Sequence, residues 1–151
     1  MEASSSLSTR VEIRTMTEDD IPAILEIDRK LSGGLRTPTY QSSVESYIGG
    51  ELSLSCVAED RGRIVGFITG ECRPVHYMER PHALIELIGI DPEYQRRGIA
   101  TRLIEAFGER CRERGALSVH AMISVGDEAM RSLLRSLDFT MGEMVTFQMA
   151  L

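Results

Sequence analysis

The stretch Ile85-Glu86-Leu87-Ile88-Gly89-Ile90-Asp91-Pro92-Glu93-Tyr94-Gln95-Arg96-Arg97-Gly98-Ile99-Ala100-Thr101 decides the fold. Its apolar first half reads as a buried strand that Asp91-Pro92 ends. A short loop with two arginines and Gly98 then opens into a long amphipathic helix. The first backbone N–H groups of a helix have no internal partner and lie at the positive end of its dipole, so a phosphate placed there gains several donors at once. Gly98 lets the backbone approach closely, and Arg96 and Arg97 add charge. The plainer alternative is a strand-to-helix turn with two solvated arginines, because glycine-containing loops of this kind serve many nucleotides and many bare connections.

The 151 residues suit one domain, and 42% hydrophobic with 26% charged is ordinary globular composition. Residues 1–8 read as a flexible, Ser-rich tail ahead of a domain over 9–151. No apolar run approaches the ~20 residues of a membrane span. Cys56, Cys72 and Cys111 have no metal-like spacing, and an odd count suits a reducing compartment, so the expected location is cytoplasmic and no metal is expected. A formal charge of −6 argues against non-specific nucleic-acid binding and would sooner attract a cationic amine.

Upstream, Val11 to Arg14 alternates as a first strand, and Thr17 with Asp20 resembles a capping box opening a helix that Ser32-Gly33-Gly34 stops. A short helix is expected around Gln41 to Ile48. Leu52 to Glu59 and Ile64 to Glu71 read as a hairpin about Asp60-Arg61-Gly62-Arg63, which sets Cys56 opposite Phe67 and away from Cys72. Arg73 to Pro81 is a polar loop bordering the sheet centre, and its His76 and Tyr77 are either surface residues or a substrate wall. Downstream, Ala100, Leu103, Ile104, Phe107 and Cys111 mark the buried stripe of a helix ending near Arg114-Gly115. Leu117 to Ile123 is a strand, Ala129 to Leu137 a helix with Met130, Leu133, Leu134 and Leu137 inward, and Phe139 to Met149 two closing strands.

At Gln95-Arg96-Arg97-Gly98-Ile99-Ala100 the chain resembles the GCN5-related N-acetyltransferases (GNAT), whose acetyl-CoA signature is Gln/Arg-x-x-Gly-x-Gly/Ala. The preceding apolar-Asp-Pro-x-Tyr segment fits as well, as does the order of elements from Val11 onward. The resemblance implies an α/β fold, a single domain whose mixed, mostly antiparallel sheet of about seven strands is flanked by about four helices. It implies direct acetyl transfer from acetyl-CoA to a primary amine of a small molecule, protein or peptide. It also leaves a homodimer open. The rival from another class is a non-catalytic acyl-CoA-binding or regulatory module.

Carried over residue by residue, the resemblance has Gln95, Arg96, Arg97, Gly98, Ile99, Ala100 and Thr101 hold the pyrophosphate. Ile90 pairs with the pantetheine arm, and the Ile88 N–H faces the thioester oxygen at a bulge with which Gly89 is compatible. Acceptor recognition falls on Arg36 and Tyr40. Glu86 matches a glutamate that some relatives use as base, directly or through water, and desolvation in its apolar run would raise its pKa. An exposed strand face or an ion pair with arginine is the other reading of Glu86. His120 is the alternative base; it shares a strand face with Met122, where some relatives carry a glutamate. The family's last helix often reads Asn-x-x-Ala-x-x-x-Tyr-x-x-x-Gly-Phe. Here Asp127 replaces the asparagine of the cofactor contact, and Leu134 replaces the tyrosine that protonates the leaving thiolate. Water, Tyr77 or Tyr40 then serves as acid, or turnover is poor.

Overall fold

The structure is a computed structural model that describes residues 10–33, 54–73 and 81–151. Five strands form one sheet in the order β1-β2-β3-β4-β5. Strands β1 (Val11–Thr15), β2 (Cys56–Asp60), β3 (Arg63–Arg73) and β4 (His82–Ile90) are antiparallel neighbours, and the short β5 (Val119–Ala121) runs parallel to β4. The helices are α1 (Ile21–Ser32), α2 (Ile99–Glu113) and α3 (Glu128–Ser136).

Because side chains alternate along a strand, β2 and β3 supply two cores at once. Val57 and Phe67 point one way, onto Ile24 and Ile27 of α1 and onto Met16. Cys56, Ala58 and Ile68 point the other way, onto Leu103, Ile104, Phe107 and Cys111 of α2. The sheet is therefore sandwiched, with α1 on one face and α2 with α3 on the other. The α2 stripe begins at buried Ile99, with Ala100 only half-buried. Of the α3 residues expected to face inward, Leu134 is buried, and Met130, Leu133 and Leu137 pack half-buried against the same core.

The Thr17–Asp20 capping box closes a 3-10 turn, Glu18–Asp20, that leads into α1, and not the first turn of α1 itself. The Thr17 N–H donates to the Asp20 carboxylate at 2.8 Å, which Arg14 also grips through two contacts of 2.8 Å. Gly33 ends α1 in the left-handed conformation, φ 66°. The hairpin turn falls on Arg61 and Gly62, both left-handed as a tight two-residue turn requires.

Several expectations are corrected. A bulge in β3 pairs Ala58 with Gly66 and Glu59 with Ile64, leaving Val65 as the extra residue, so Cys56 faces Ile68 and not Phe67. All three cysteines are free. Among the described residues there are five strands and three helices, not about seven and four. The strand expected over Leu117 to Ile123 is confined to Val119–Ala121, because β4 offers register partners only as far as Ile85. Phe139 is half-buried against the core, but residues 140–151 form no strand and lie exposed. The helix around Gln41 to Ile48 lies outside the described residues.

Candidate cofactor and active site

The loop after β4 is built on Asp91, whose side chain is buried. Its Oδ1 accepts from the Glu93 N–H at 3.0 Å, and its Oδ2 accepts from Lys30 at 3.0 Å and Arg63 at 3.3 Å. Burial pushes this carboxyl up, but the Glu93 N–H, the Lys30 ammonium and the Arg63 charge outweigh it and hold it below the ordinary aspartate value. Tyr94 donates its hydroxyl to Asp60 at 2.7 Å, and its ring carries the Arg97 guanidinium 4.7 Å from the centroid. Arg97 also donates to the Glu93 carbonyl at 2.9 Å. The loop is thus fastened before it reaches the helix.

Two residues in left-handed conformation, Arg96 at φ 63° and Gly98 at φ 78°, turn the chain into α2. Gly98 is the N-cap and offers no side-chain acceptor, and the first turn holds no acidic residue. The Arg102 N–H donates to the Gly98 carbonyl at 3.2 Å, so the N–H groups of Ile99, Ala100 and Thr101 precede the first helical bond and have no intrahelical partner. A Cβ on Gly98 would meet no atom within 4 Å, so the glycine answers to backbone conformation and not to crowding.

The second half of the site is an open strand edge. β4 and β5 pair as Ala83↔Val119, Leu84↔His120 and Ile85↔Ala121, and there the pairing stops. On the other side of β4, Thr69 faces Leu87 and Gly70 faces Ile85, which makes Glu86 the extra residue of a bulge. A bulge bends its strand, and this one lies where β4 parts from β5. The Asp91 N–H donates to Val65 of β3 at 2.8 Å, so by alternation Gly89 and Leu87 also address β3, and Ile88 and Ile90 address the edge β5 has left. Gln95 confirms the sense, since its amide donates to the Ile90 carbonyl at 3.2 Å. The bulge is therefore at Glu86 and not at Ile88-Gly89. Gly89 has a packing reason instead, because a Cβ there would come within 2.7 Å of the Phe67 ring.

Glu86 is exposed, not enclosed in the apolar run. His120 is also exposed and belongs to a group that includes a residue the sequence reading missed. His82 Nδ1 lies 2.6 Å from Ser118 Oγ and 3.1 Å from His120 Nε2, and Ser118 Oγ lies 2.9 Å from His120 Nε2. Nothing in the sequence marks His82, because its meeting with His120 depends on the β4–β5 register. At about 3.3 Å per strand residue, the level of His120, opposite Leu84, is ~13 Å from Ile88, and Glu86 only ~7 Å. Asp127 caps α3, its Oδ1 accepting from the Met130 N–H at 3.1 Å, and Leu134 lies in the apolar core. Arg36, Tyr40, His76 and Tyr77 lie outside the described residues. Among the described residues no three His, Cys, Asp or Glu side chains gather as a metal site, and no helix is long and apolar enough to cross a membrane.

The chain thus has an α/β fold in which the fourth strand of a mixed sheet loses its neighbour beside a helix N-terminus that carries no side-chain cap. The sequence profile of the acetyltransferase (GNAT) family matches residues 21–139, and the chain belongs to that family of N-acetyltransferases. It is 23% identical over 136 residues to acetyltransferase ECA0875 of Pectobacterium atrosepticum, covering 90% of this chain and 92% of that one. The L-2,4-diaminobutyric acid acetyltransferase of Streptomyces avermitilis is 36% identical over 77 residues, half of this chain and 41% of that protein. In fold the chain is similar to the aminoglycoside N-acetyltransferase AAC(6')-Iy bound to a CoA–aminoglycoside bisubstrate analogue, with TM-score 0.78, 20% identity, and 93% and 98% of the two chains covered.

Proposed function

We propose that the chain acetylates a primary amine directly, with the residues of the β4 edge and the α2 N-terminus as its working parts. The observation that carries this reading is the Ile88 N–H, turned to the edge that β5 has left, two residues past Glu86. Acetyl-CoA fits these residues: its diphosphate suits the free N–H groups of Ile99, Ala100 and Thr101 with Gln95, Arg96, Arg97 and Gly98 around them, and its amide-bearing arm suits the Ile90 edge beside Gly89. When bound it supplies an acetyl thioester. The Ile88 N–H would donate to the carbonyl oxygen as negative charge gathers there. Glu86, nearer than His120, would take the amine proton, and its exposure suits transfer through one water.

The leaving thiolate has no donor at Leu134, which is buried. A thiolate of ordinary pKa near 8.5 departs tolerably without one, so water or Tyr77 is sufficient. Asp127 supports α3 as its cap, and with that its part in holding acetyl-CoA becomes positioning. Arg36, Tyr40 and His76 remain the proposed acceptor contacts, a cationic amine the proposed acceptor class, and the cytoplasm the proposed location. A screen of CoA release against polyamines, amino acids and peptides, with the acetylated product weighed by mass spectrometry, tests the reading. At least one amine should release CoA and gain one acetyl group. Acetyl-CoA binding without release for every class would overturn it in favour of a regulatory acyl-CoA binder.

A further inference from the structure

We propose that Asp28, Ser32, Ser55 and Thr69 form a polar site between α1 and the sheet that receives an ammonium group of the acceptor, whose class is then a diamine acetylated at its other end. The inference rests on the proposed transfer beside Glu86 and narrows its acceptor. Asp28 is 6% exposed, Ser55 1% and Thr69 0%, and the hydroxyl oxygen of Ser32 is buried as well. The three hydroxyls have no hydrogen-bond partner, and Asp28 makes no hydrogen bond or ion pair among the described residues. A buried polar group without a partner is destabilising, and a buried charge more so, which makes this set poor packing and a good receptor.

Register and helix spacing bring these residues together. α1 crosses the strands over the row Val57, Phe67 and Gly89: Ile24 and Ile27 pack with Val57 and Phe67, and a Cβ on Gly89 would meet Leu31 at 3.0 Å. One flank of the helix, with Ala23 and Lys30, lines a hollow at the Arg63 end of the strands. Asp28 and Ser32, one turn apart, lie on the other flank, toward the next row of the same sheet face. Leu54 and Cys56 belong to the α2 core, which turns Ser55 between them toward α1. Thr69 likewise stands between Ile68 of that core and Gly70, whose Cβ would meet Phe107 of α2. Because Cys56 pairs with Ile68, Ser55 is set beside Thr69, and Thr69 in turn pairs with Leu87, the residue after Glu86.

The chemistry of the site selects its occupant. A carboxylate and three hydroxyls all accept hydrogen bonds, and a primary ammonium carries three donors and no acceptor. Water would satisfy the hydroxyls but brings no charge to set against Asp28. Of the two carboxylates of α1, Glu26 is already paired with Arg29 at 2.6 Å, and Asp28 is left for a ligand. An ammonium held by Asp28 keeps its proton and cannot attack a thioester, so the nucleophile is a second amine, beside Glu86 and Ile88. Neighbouring strands lie about 4.8 Å apart, so the path from Leu87 to Thr69 and on to Ser55 sets the two nitrogens about 5–10 Å apart, within reach of a short alkyl diamine. The net charge of −6 agrees with a dicationic substrate.

Binding is read by calorimetry on the protein without acetyl-CoA, so the outcome is separate from the proposed transfer. The better of putrescine and cadaverine should bind the parent at least about tenfold more tightly than butylamine, and Asp28→Asn should remove most of that difference. Glu26→Gln removes the same charge from the exposed flank of α1 and should leave the difference as in the parent, which sets apart general attraction to an acidic surface. Thr69→Val and Ser55→Ala should each weaken the diamine about 2–10-fold. Without ligand Asp28→Asn should melt no lower than the parent, because it relieves an unpaired buried charge, and the diamine should raise the melting temperature of the parent alone. In turnover the same variant should raise KM for the diamine far more than for butylamine and change kcat little, since Asp28 holds the end that does not react. A parent that binds diamine and butylamine alike, a preference that survives Asp28→Asn, an equal loss in Glu26→Gln, or an Asp28→Asn protein that melts well below the parent would each overturn the inference. Diamine binding that depends on Asp28 but leads to no acetylation would support the site and overturn the proposed transfer instead.

Discussion

Gly98 and Glu86 show what single residues contribute and how differently they could be read. Gly98 was legible because its part is played by backbone: a left-handed residue ahead of a helix with no acidic first turn is written in the sequence itself. A β-branched residue held at φ 78° is strained by about 1–3 kcal/mol, and relief of that strain would turn the N–H groups of Ile99 and Ala100 aside. Gly98→Val should therefore weaken CoA binding by about tenfold or more in calorimetry. Arg96→Gly should remove strain at φ 63° and lose only one charge, so affinity falls moderately while the melting temperature holds or rises. If Gly98→Val binds CoA as tightly as the parent, the phosphates lie elsewhere. For Glu86 the sequence left two readings open, a carboxylate desolvated in its apolar run or one on an exposed strand face, and the bulge decides for the exposed one. Glu86→Gln should leave acetyl-CoA affinity nearly unchanged and lower kcat by about 10²–10⁴-fold, with His120→Ala having little effect. The reverse pattern would move the base to the His82–Ser118–His120 group.

At the scale of elements, local signals set what forms, and non-local partners set its register. The capping box ahead of α1, the Arg61-Gly62 turn and the α2 stripe could be read in advance because each is decided within about four residues. The bulges at Val65 and Glu86 could not, because each depends on which residue of the neighbouring strand it must match. The closing strands expected over Phe139 to Met149 do not form, although the segment alternates as a strand would and β5 has no outer neighbour among the described residues. Gly70 shows how tightly β3 and α2 are joined, since a Cβ there would run into the Leu84 carbonyl and the Phe107 ring. The obstruction on one side is backbone, which cannot swing away as a side chain can. Gly70→Ala should thus destabilise by at least the ~1–3 kcal/mol usual for overpacking, or about 2–4 °C of melting temperature per kcal/mol for a chain of this size. Gly62→Ala, at a turn where a Cβ meets nothing within 4 Å, adds only left-handed strain and should cost less. Equal melting temperatures for the two would mean that the helix does not press on the sheet at Gly70.

For the molecule as a whole, ionisation bounds the range over which the sandwich holds. Burial pushes the Asp20 and Asp91 carboxyls up, yet Arg14 and the Thr17 N–H at the first, and the Glu93 N–H and Lys30 at the second, leave both below the ordinary aspartate value. A group whose pKa is lowered by folding stabilises above its unfolded value, about 3.9, and that contribution disappears as pH falls through the folded value. At the other end burial lifts the Cys111 thiol from its ordinary 9.0 to about 12. A group raised by folding contributes fully below its unfolded value, and its contribution is lost as pH rises through the folded one. Thermal melts should accordingly be flat from about pH 5 to about pH 8 and fall on both sides. Asp91→Asn should cost about 1.5–3 kcal/mol at neutral pH, the range for hydrogen bonds to charged groups. That deficit should shrink as pH drops below about 4, because the protonated parent then carries a neutral side chain at the same place. Cys111→Ala should in the same way lose stability at neutral pH and lack the alkaline decline that the buried thiol adds. A deficit for Asp91→Asn that stays constant down to the acid transition would mean that the Asp91 charge, although it joins α1, β3 and the loop after β4, does not hold them together.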